Sequence, residues 1–511
     1  MASLTASLTK VGGNTLLSRL MGFLRDLMVA RLFGADGGTD AFFVAFKVPN
    51  LFRRLFAEGG FASALVPVLH ATQREGGRPA LHPLLASLSA VLGAGLLLIT
   101  LLGLLAAPWL ILAFAPGFAA EPDRQALAAE LLRLTLPYVI FIVLAAVAGA
   151  LLNLYERFGV PAFTPVLLNL AIIGCALWLA PHLDQPILAL GWGVLLGGLA
   201  QLSFQLPFLA RLDLLPRPRL VGWHPGTRQV LRRLGPVLFG GSVTQLNLLI
   251  DTFLASFLTV GSISWLYYSD RLVEFPLGIL GAALTTVILP RLSRQATTSP
   301  QSFATTLEWG LRWVVLLGLP AAVGLALLAE PLVATLFLSA QFNALDVRMA
   351  ALSLMGYSAG LPAFMAIKVL APAYHARHDA RTPARFAFVT LGVNLVLSLT
   401  LMVPWGHGGL ALATSLAAWV NAALLLWGLR HEKTYPLTRD WLVLLGKGGV
   451  ATLILGALLY GVPPVLDAWL AVSAAERLQW LLSWTLGAAA VYCALLLAMG
   501  LRPRHFGEAQ N

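Results

Sequence analysis

Charged side chains stand inside the apolar runs of this sequence, where burial in a membrane is unfavourable. A charge at the centre of a bilayer costs about 2.5–3.5 kcal/mol on insertion scales, so helices that carry several charges must line a polar cavity. The residues that we expect in this cavity are mainly cationic: Arg19, Arg25, Asp40, Arg53, Arg271 and Lys368. Guanidinium groups are planar forks that match phosphate oxygens. The set therefore predicts binding of a diphosphate or another multiply charged anion, with Asp40 holding an arginine in place while the cavity is empty.

The neighbours of these residues refine the interpretation of each one. Arg53 has only uncharged residues three and four positions away, which indicates an anionic ligand, and Lys368 has no acidic residue at four positions on either side. Arg271, by contrast, could pair with Glu274 across one helical turn. Pro49 removes a backbone donor four residues before Arg53, which predicts a break in the helix there.

A separate candidate site would bind a sodium ion. Asp251 lies in the seventh apolar run, and Asn394 and Ser398 share one face of the eleventh; oxygen ligands of these types suit a hard cation. The alternative is that local hydrogen bonds or the water-filled cavity satisfy the Asp251 carboxylate. No organic cofactor is expected, and a sodium ion or the membrane potential would drive transport. The nine histidines fall in connections and at the ends of runs, where we expect them at the surface.

Composition places the whole chain in a membrane. Of its 511 residues, 58% are hydrophobic and 11% are charged, and the mean hydropathy is +0.81. Soluble domains are about a quarter charged. The formal charge of +11 is spread over short connections, which is the positive-inside pattern and not a nucleic-acid-binding surface. The two cysteines stand in apolar runs and provide no disulfide framework.

Recurrent apolar runs of about 18 residues or more predict an all-α polytopic fold with about fourteen transmembrane helices. Lys and Arg are concentrated in every second connection, which predicts that both termini and the basic connections are cytoplasmic. The predicted spans are 11–33, 40–70, 84–114, 126–154, 162–181, 188–210, 235–258, 264–290, 303–335, 347–374, 386–404, 409–428, 441–462 and 478–500.

The two halves of the chain resemble one another at a nearly constant difference in residue number. The run that ends Ala-Leu-Val-Pro at 64–67 corresponds to the run that ends Val-Ile-Leu-Pro at 287–290, and Leu188 corresponds to Leu410. Because this difference covers an even number of spans, both halves cross the membrane in the same direction, as in transporters with parallel repeats. The prediction is two parallel six-helix lobes plus two C-terminal helices, at 1–222, 223–435 and 436–511.

The segments around the charged residues resemble a known family, the MurJ/MviN lipid II flippases. The matching segments are SRLMGFLRD (18–26), TDAFFVAFKVPNLFRRLFAEG (39–59), YYSDRLVEFP (267–276) and AIKVLAP (366–372). The resemblance covers almost the whole chain, and the first two segments are long enough to be highly specific.

The resemblance implies a transporter of the MOP exporter superfamily, a monomer whose two lobes enclose a cavity and whose two extra helices hold a lipid tail. It implies that Arg19, Arg25, Arg53 and Arg271 match basic residues of the family's cavity and that Asp40 matches a functional position. The implied substrate is lipid II, in which a diphosphate joins an undecaprenyl chain to a disaccharide-pentapeptide. The implied place is the bacterial inner membrane, with transport by alternating access from the cytoplasmic to the periplasmic leaflet.

Three other functions compete with this interpretation. A MOP-type flippase for another polyprenyl-linked oligosaccharide would also have a cationic cavity, and only the family segments argue against it. A drug antiporter that exports cations would have acidic and aromatic residues in the cavity, which the arginines oppose. A membrane-embedded enzyme would need an acidic dyad or a metal site, and the sequence shows no such pattern and no nucleotide phosphate-binding loop.

Overall fold

The computed structural model describes residues 2–57, 60–215, 224–431, 440–461 and 466–501. Within these residues the chain forms helices joined by short connections and contains no β-strand, so the all-α prediction is confirmed. The chain divides into two compact units, Met1–Ser264 and Trp265–Asn511.

The first unit contains ten α-helices. They are α1 Ala2–Phe33, α2 Gly37–Ala57, α3 Gly60–Gly76, α4 Leu81–Leu105, α5 Ala107–Phe114, α6 Pro122–Thr135, α7 Tyr138–Leu154, α8 Gly159–Gly174, α9 Leu188–Arg211 and α10 Pro225–Ala255. A short 3₁₀ helix, Pro116–Ala120, joins α5 to α6, and a π-helical turn, Cys175–Leu179, extends α8.

The second unit contains the rest, and the first of its helices begins just before the boundary. The helices are α11 Ser262–Pro276, α12 Ala282–Thr298, α13 Pro300–Trp313, α14 Leu319–Leu327, α15 Ala329–Phe337, α16 Ala344–Ser358, α17 Leu361–Ala376, α18 Arg381–His431, α19 Asp440–Gly461, α20 Leu466–Ala471 and α21 Ala474–Ala498. Inside α18, Gly406 has the non-helical angles φ 53° and ψ −132°, so α18 is two helices that meet at a kink.

Several helices are apolar on both faces, as expected where one face packs in the protein and the other meets lipid. On α4, Leu84 and Leu88 are buried, whereas Leu98 and Leu105 are 58% and 74% exposed. Among the described residues, nine helices are long and apolar enough to cross a membrane, or eleven if two bent pairs each count as one span.

The predicted count of fourteen spans is therefore not confirmed and stays a prediction. The predicted spans without their own counterpart are 11–33, 235–258 and one of the two that α18 merges. The helices at the first two positions, α1 and α10, carry several charged residues, which lower their mean hydropathy.

The backbone confirms the internal repeat. The difference in residue number between Leu188 and Leu410, which we call the repeat offset, also carries α3 (Gly60–Gly76) onto α12 (Ala282–Thr298), with both ends in register. The repeat offset carries the turn after α7 onto the turn after α17: Glu156 and His378 have φ angles of 58° and 59°, an unusual left-handed conformation for residues with side chains. The order of helices therefore recurs with the same connections.

The lobe boundaries predicted at 222–223 and 435–436 lie outside the described residues, and the lobes stay a prediction. By packing, the first unit also includes α10, the repeat counterpart of α1. Three hydrogen bonds show how α10 is held. The Thr227 hydroxyl donates to Ser87 Oγ at 3.1 Å, Lys47 Nζ donates to the Leu248 carbonyl at 3.2 Å, and the Gly117 N–H donates to Ser256 Oγ at 3.0 Å.

Candidate functional site

Arg25 lies at the contact between α1 and α8 in a half-buried polar cluster. Its Nε and Nη2 donate to Asp26 Oδ1 at 3.0 and 2.6 Å, and its Nη1 donates to Asn169 Oδ1 at 3.1 Å. Asn169 is buried on α8, and its Nδ2 donates to the Ser18 carbonyl at 3.4 Å. Asn169 and Asp26 thus fix the plane of the guanidinium group. On the same helix, Arg19 is exposed.

Arg53 and Pro49 both differ from expectation. Arg53 Nε donates to Asn50 Oδ1 at 2.8 Å, one turn earlier on α2. Because Asn50 is uncharged, the pattern of charges in the sequence does not reveal this partner. Pro49 does not break the helix, because α2 continues through it to Ala57. Neighbouring helices support a proline inside a membrane helix, and the prediction of a break there was wrong.

Arg271 and Lys368 lie in the second unit. Arg271 Nη1 forms an ion pair with Glu274, the alternative that the spacing left open, and its guanidinium lies 4.9 Å from the centre of the Tyr267 ring. Lys368 is exposed on α17 beside Gly281, where an added Cβ would lie 3.4 Å from Lys368 Cγ. Arg271 is therefore held by residues of its own helix, whereas Lys368 is exposed.

Asp40 is completely buried near the start of α2, and protein donors occupy both of its oxygens. Arg124 Nη2 and the Gly261 N–H donate to Oδ2 at 2.5 and 2.7 Å. The Ser264 N–H and hydroxyl donate to Oδ1 at 2.8 and 2.5 Å. Asp40 therefore connects α2 to α6, to Gly261 just before α11 and to Ser264 in the first turn of α11.

Arg124 is the arginine that Asp40 holds. The sequence predicted that Asp40 would hold an arginine but expected one of the cavity set, not a residue of α6. The Arg124 guanidinium also contacts Glu121 Oε1 at 3.2 Å and lies 4.1 Å from the centre of the Phe118 ring. The 84 positions between Asp40 and Arg124 hide the pair from any local pattern.

A cavity of about 670 Å³ lies beside this pair in the first unit. Its wall includes Arg124 but also the carboxylates of Glu121, Asp123 and Glu130. Because these carboxylates would repel phosphate oxygens, this cavity does not suit the anion predicted for the cationic set.

The residues of the candidate sodium site are divided between the units. Asp251 is buried on α10, whereas Asn394 and Ser398 are buried one turn apart on α18. Their assembly into one site stays a prediction. In the part of the chain that the structure describes, no group of three or more His, Cys, Asp or Glu residues could hold a metal ion.

His407 contradicts the expectation that the histidines lie at the surface. It is buried beside the kink of α18, with Nδ1 2.7 Å from Ser353 Oγ and its ring centre 5.0 Å from that of Trp265. Trp265 Nε1 donates to Asp346 Oδ1 at 3.0 Å. His407 lies between two predicted apolar runs, 386–404 and 409–428, and residues of α11 and α16 pack against it. A position at the end of an apolar run therefore does not imply exposure.

Repeated halves of membrane-length helices, with buried and half-buried arginines among them, are typical of a polytopic membrane transporter. Solved structures share this fold. One is an inward-facing multidrug resistance MATE family transporter of the MOP superfamily, with a TM-score of 0.65 and 17% identity, covering 82% of this chain and 95% of that one. Another is a lipid II flippase MurJ in an inward closed conformation, with a TM-score of 0.79 and 25% identity, covering 95% of this chain and 97% of that one.

The chain belongs to the lipid II flippase MurJ family, whose model matches residues 29–479. A probable lipid II flippase MurJ of Vibrio cholerae is 44% identical over 505 residues, which cover 96% of this chain and 95% of that protein. The lipid II flippase MurJ of Burkholderia cenocepacia is 39% identical over 99% of both chains. This family is one of transporters, and the protein is an integral membrane protein.

Proposed function

We propose that this protein flips lipid II from the cytoplasmic to the periplasmic leaflet of the bacterial inner membrane. The observation that carries the proposal is the match to relatives named as lipid II flippases along nearly the whole chain. The cationic set supports it, because one guanidinium group can donate two parallel hydrogen bonds to phosphate oxygens. The diphosphate of lipid II is an anion with such oxygens. The protein acts as a monomer with cytoplasmic termini, performs no catalysis and needs no organic cofactor.

In this proposal Arg19, Arg25, Arg53, Arg271 and Lys368 bind the diphosphate. Arg25 is already oriented by Asn169 and neutralised by Asp26, which lowers the cost of keeping the charge in the membrane while no substrate is bound. Arg271 and Glu274 form a similar resting pair. A diphosphate would replace the carboxylate partners while contacts such as Asn169–Arg25 keep each fork in position.

Asp40 has a different role in this proposal, as part of the mechanism that alternates access. Its carboxylate holds Gly261 and Ser264, which follow α10, against α2 and α6. Because the basic connections are predicted to be cytoplasmic, the alternate connections, which include those at Asp36, Glu121 and Gly261, would be periplasmic. Opening toward the periplasm would then require Asp40 to release these donors, and closing would restore them. A sodium ion at Asp251, Asn394 and Ser398, or the membrane potential, would bias this exchange.

Transport of fluorescent lipid II into reconstituted vesicles tests the proposal. The wild-type protein should transport it, and an excess of a polyprenyl-linked O-antigen unit should compete poorly. Effective competition by that unit would favour a flippase for another polyprenyl-linked oligosaccharide. Arg25→Ala should lower the rate at least about tenfold, and Arg25→Lys should restore only part of it, since an ammonium group cannot contact two oxygens as a fork. Full activity of Arg25→Ala would contradict the assigned site.

A further inference from the structure

The carbonyl of Leu316 lies in a π-helical turn, Val314–Gly318, that joins α13 to α14. At the end of this turn the Leu319 N–H donates to the Val315 carbonyl, four residues earlier, as in an α-helix. The same pattern would pair the Leu316 carbonyl with Pro320, which has no N–H. The hydroxyl of Tyr492 on α21 donates to the Leu316 carbonyl at 2.8 Å, in a buried contact. A side chain from the C-terminal helices thus replaces the donor that the proline removes.

The first half of the repeat provides an internal comparison. At the repeat offset, the counterparts of Leu316 and Pro320 are Ala94 and Leu98 on α4, which is α-helical from Leu81 to Leu105. Leu98 is 58% exposed. In the first half, where this face is exposed, the helix is unbroken. In the second half, where the C-terminal helices cover the face, the helix contains the π-helical turn and the proline.

The same face of the second unit receives α19 at close range. A Cβ added at Gly448 would lie 3.7 Å from Val315 Cγ1, and one added at Gly456 would lie 3.3 Å from Val323 Cγ1. Small residues spaced by four positions let membrane helices approach closely, and Thr452 completes this spacing. The contact continues in a buried apolar cluster of Leu328, Ala451, Leu455, Leu459, Ala488 and Tyr492.

A second polar contact holds the other end of α21. Arg477 is buried, and its Nη1 donates to the Ala334 carbonyl, at the end of α15, at 3.4 Å. Tyr492 lies fifteen residues further along α21, about 22 Å away on an ideal helix. Two contacts so far apart restrain the tilt of α21 as well as its position.

We propose that Tyr492 is a positioning residue that fixes the C-terminal helix pair, α19 and α21, to the rest of the second unit through the Leu316 carbonyl. The pair then moves with that unit as one body, and an apolar tail bound along the pair is carried with it. The role toward a lipid tail rests on the proposed function. The attachment itself rests only on the contacts of Tyr492, Pro320 and the small residues of α19.

Distance measurements between two spin labels test the attachment in membranes. The labels replace the exposed Leu352 on α16 and Leu486 on α21, after Cys175 and Cys493 are changed to alanine. Tyr492→Phe should broaden the distance distribution, because the hydroxyl is lost and the ring is kept.

Adding Pro320→Ala to Tyr492→Phe should narrow the distribution toward the wild-type width, because the new N–H can donate to the Leu316 carbonyl. The matched control is Tyr460→Phe on α19, where the tyrosine is 83% exposed and no change is expected. An unchanged width in Tyr492→Phe, a failure of Pro320→Ala to narrow it, or equal broadening by Tyr460→Phe would each overturn the proposal.

A transport arm separates this proposal from the proposed function. Tyr492→Phe should lower the rate for lipid II with its full tail by about two- to tenfold, the effect of one neutral hydrogen bond, and leave a short-tailed analogue unchanged. Equal losses for both substrates would contradict the role toward the tail. If the wild-type protein transports no lipid II, the proposed function fails, whereas the label distances still decide whether Tyr492 fixes the helix pair.

Discussion

The two halves of the repeat place a polar contact at the same point but build it from different residues. In the first half, Arg124 at the start of α6 pairs with Asp40. The counterpart of Arg124 at the repeat offset is Asp346 at the start of α16, which accepts a hydrogen bond from Trp265. The backbone therefore repeats while the charges do not.

This difference separates a connecting contact from a local one. Asp40 also accepts hydrogen bonds from the backbone N–H groups of Gly261 and Ser264, which follow α10. Asp346 uses its second oxygen to accept the Asn343 N–H at 2.9 Å and so caps its own helix. In the proposed mechanism the first contact, which joins three segments of the first unit, is the one that changes during transport, whereas the second caps one helix of the second unit in all states.

Breaking the first contact should have the largest effect. Removing one partner of a buried ion pair costs about 3–5 kcal/mol, because the other charge stays buried. Asp40→Asn should therefore abolish lipid II transport and lower the thermal unfolding midpoint in detergent. Asp36→Asn, an exposed carboxylate four residues earlier, is the matched control and should retain transport.

The double variant Asp40→Leu with Arg124→Met sharpens this test. Without an unpaired buried charge, stability should recover in part while transport stays lost. If Asp40→Asn transports lipid II at the wild-type rate, the connecting role is excluded.

The next largest loss of stability is expected from a substitution at Gly117. In the first half of the repeat, its backbone lies against Ser256 at the end of α10. A Cβ added at Gly117 would lie 2.0 Å from the Ser256 carbonyl oxygen, so the two backbones must separate. Its repeat counterpart is Ser339, which already carries a side chain. Gly117→Ala should lower the free energy of unfolding by about 1–3 kcal/mol.

The control for Gly117 is Gly95→Ala on α4, where nothing lies within 4 Å of the added Cβ. That change should be neutral or slightly stabilising, because alanine favours helix over glycine. Equal unfolding midpoints for the two variants would show that Gly117 and Ser256 are not in close contact in solution.

Features of the structure that depend on local sequence patterns could be predicted from the sequence. Apolar length predicted the helices, the recurring Pro-containing run ends predicted the repeat, and a spacing of three left open the pair of Arg271 and Glu274 that the structure shows. The long segments around Arg19, Arg25 and Asp40 also predicted the family, which the comparisons show.

The sequence could not predict partners that only the tertiary fold brings together. Asn169 orients Arg25 from 144 positions away, and Arg124 reaches Asp40 from another helix. The burial of His407 has the same cause, since a position at the end of an apolar run does not reveal what packs over it. Pro49 shows the converse: packing from neighbouring helices overrode a strong local signal for a break.

Weakening the second contact should have a moderate effect. Asp346→Asn keeps an oxygen for Trp265 but places an amide opposite the Asn343 N–H, so one hydrogen bond is lost. We expect a decrease in unfolding free energy of about 1 kcal/mol and transport close to wild type. A transport loss as large as that of Asp40→Asn would remove the distinction between the two contacts.

The smallest effect is expected at the repeated turn after α7 and α17. In the second half, Asp379 Oδ1 accepts from the backbone N–H groups of Arg381 and Thr382 at 3.0 Å and so caps α18. In the first half its counterpart is Arg157, and α8 has no side-chain cap.

The hydrogen bonds with Thr382 hold the pKa of the Asp379 carboxyl below its usual value, although some burial opposes this. A depressed pKa means that the cap stabilises the folded state above the unfolded pKa of about 3.9 and is lost as the pH falls through the lower folded value. The protection factor at the start of α18, which is the exchange rate corrected for its intrinsic pH dependence, should therefore fall only in strong acid. Asp379→Asn should remove most of that decrease and leave the protection factor at the start of α8 unchanged. An equal decrease in protection at the start of α8 would show that the turn, and not the carboxylate, responds to acid.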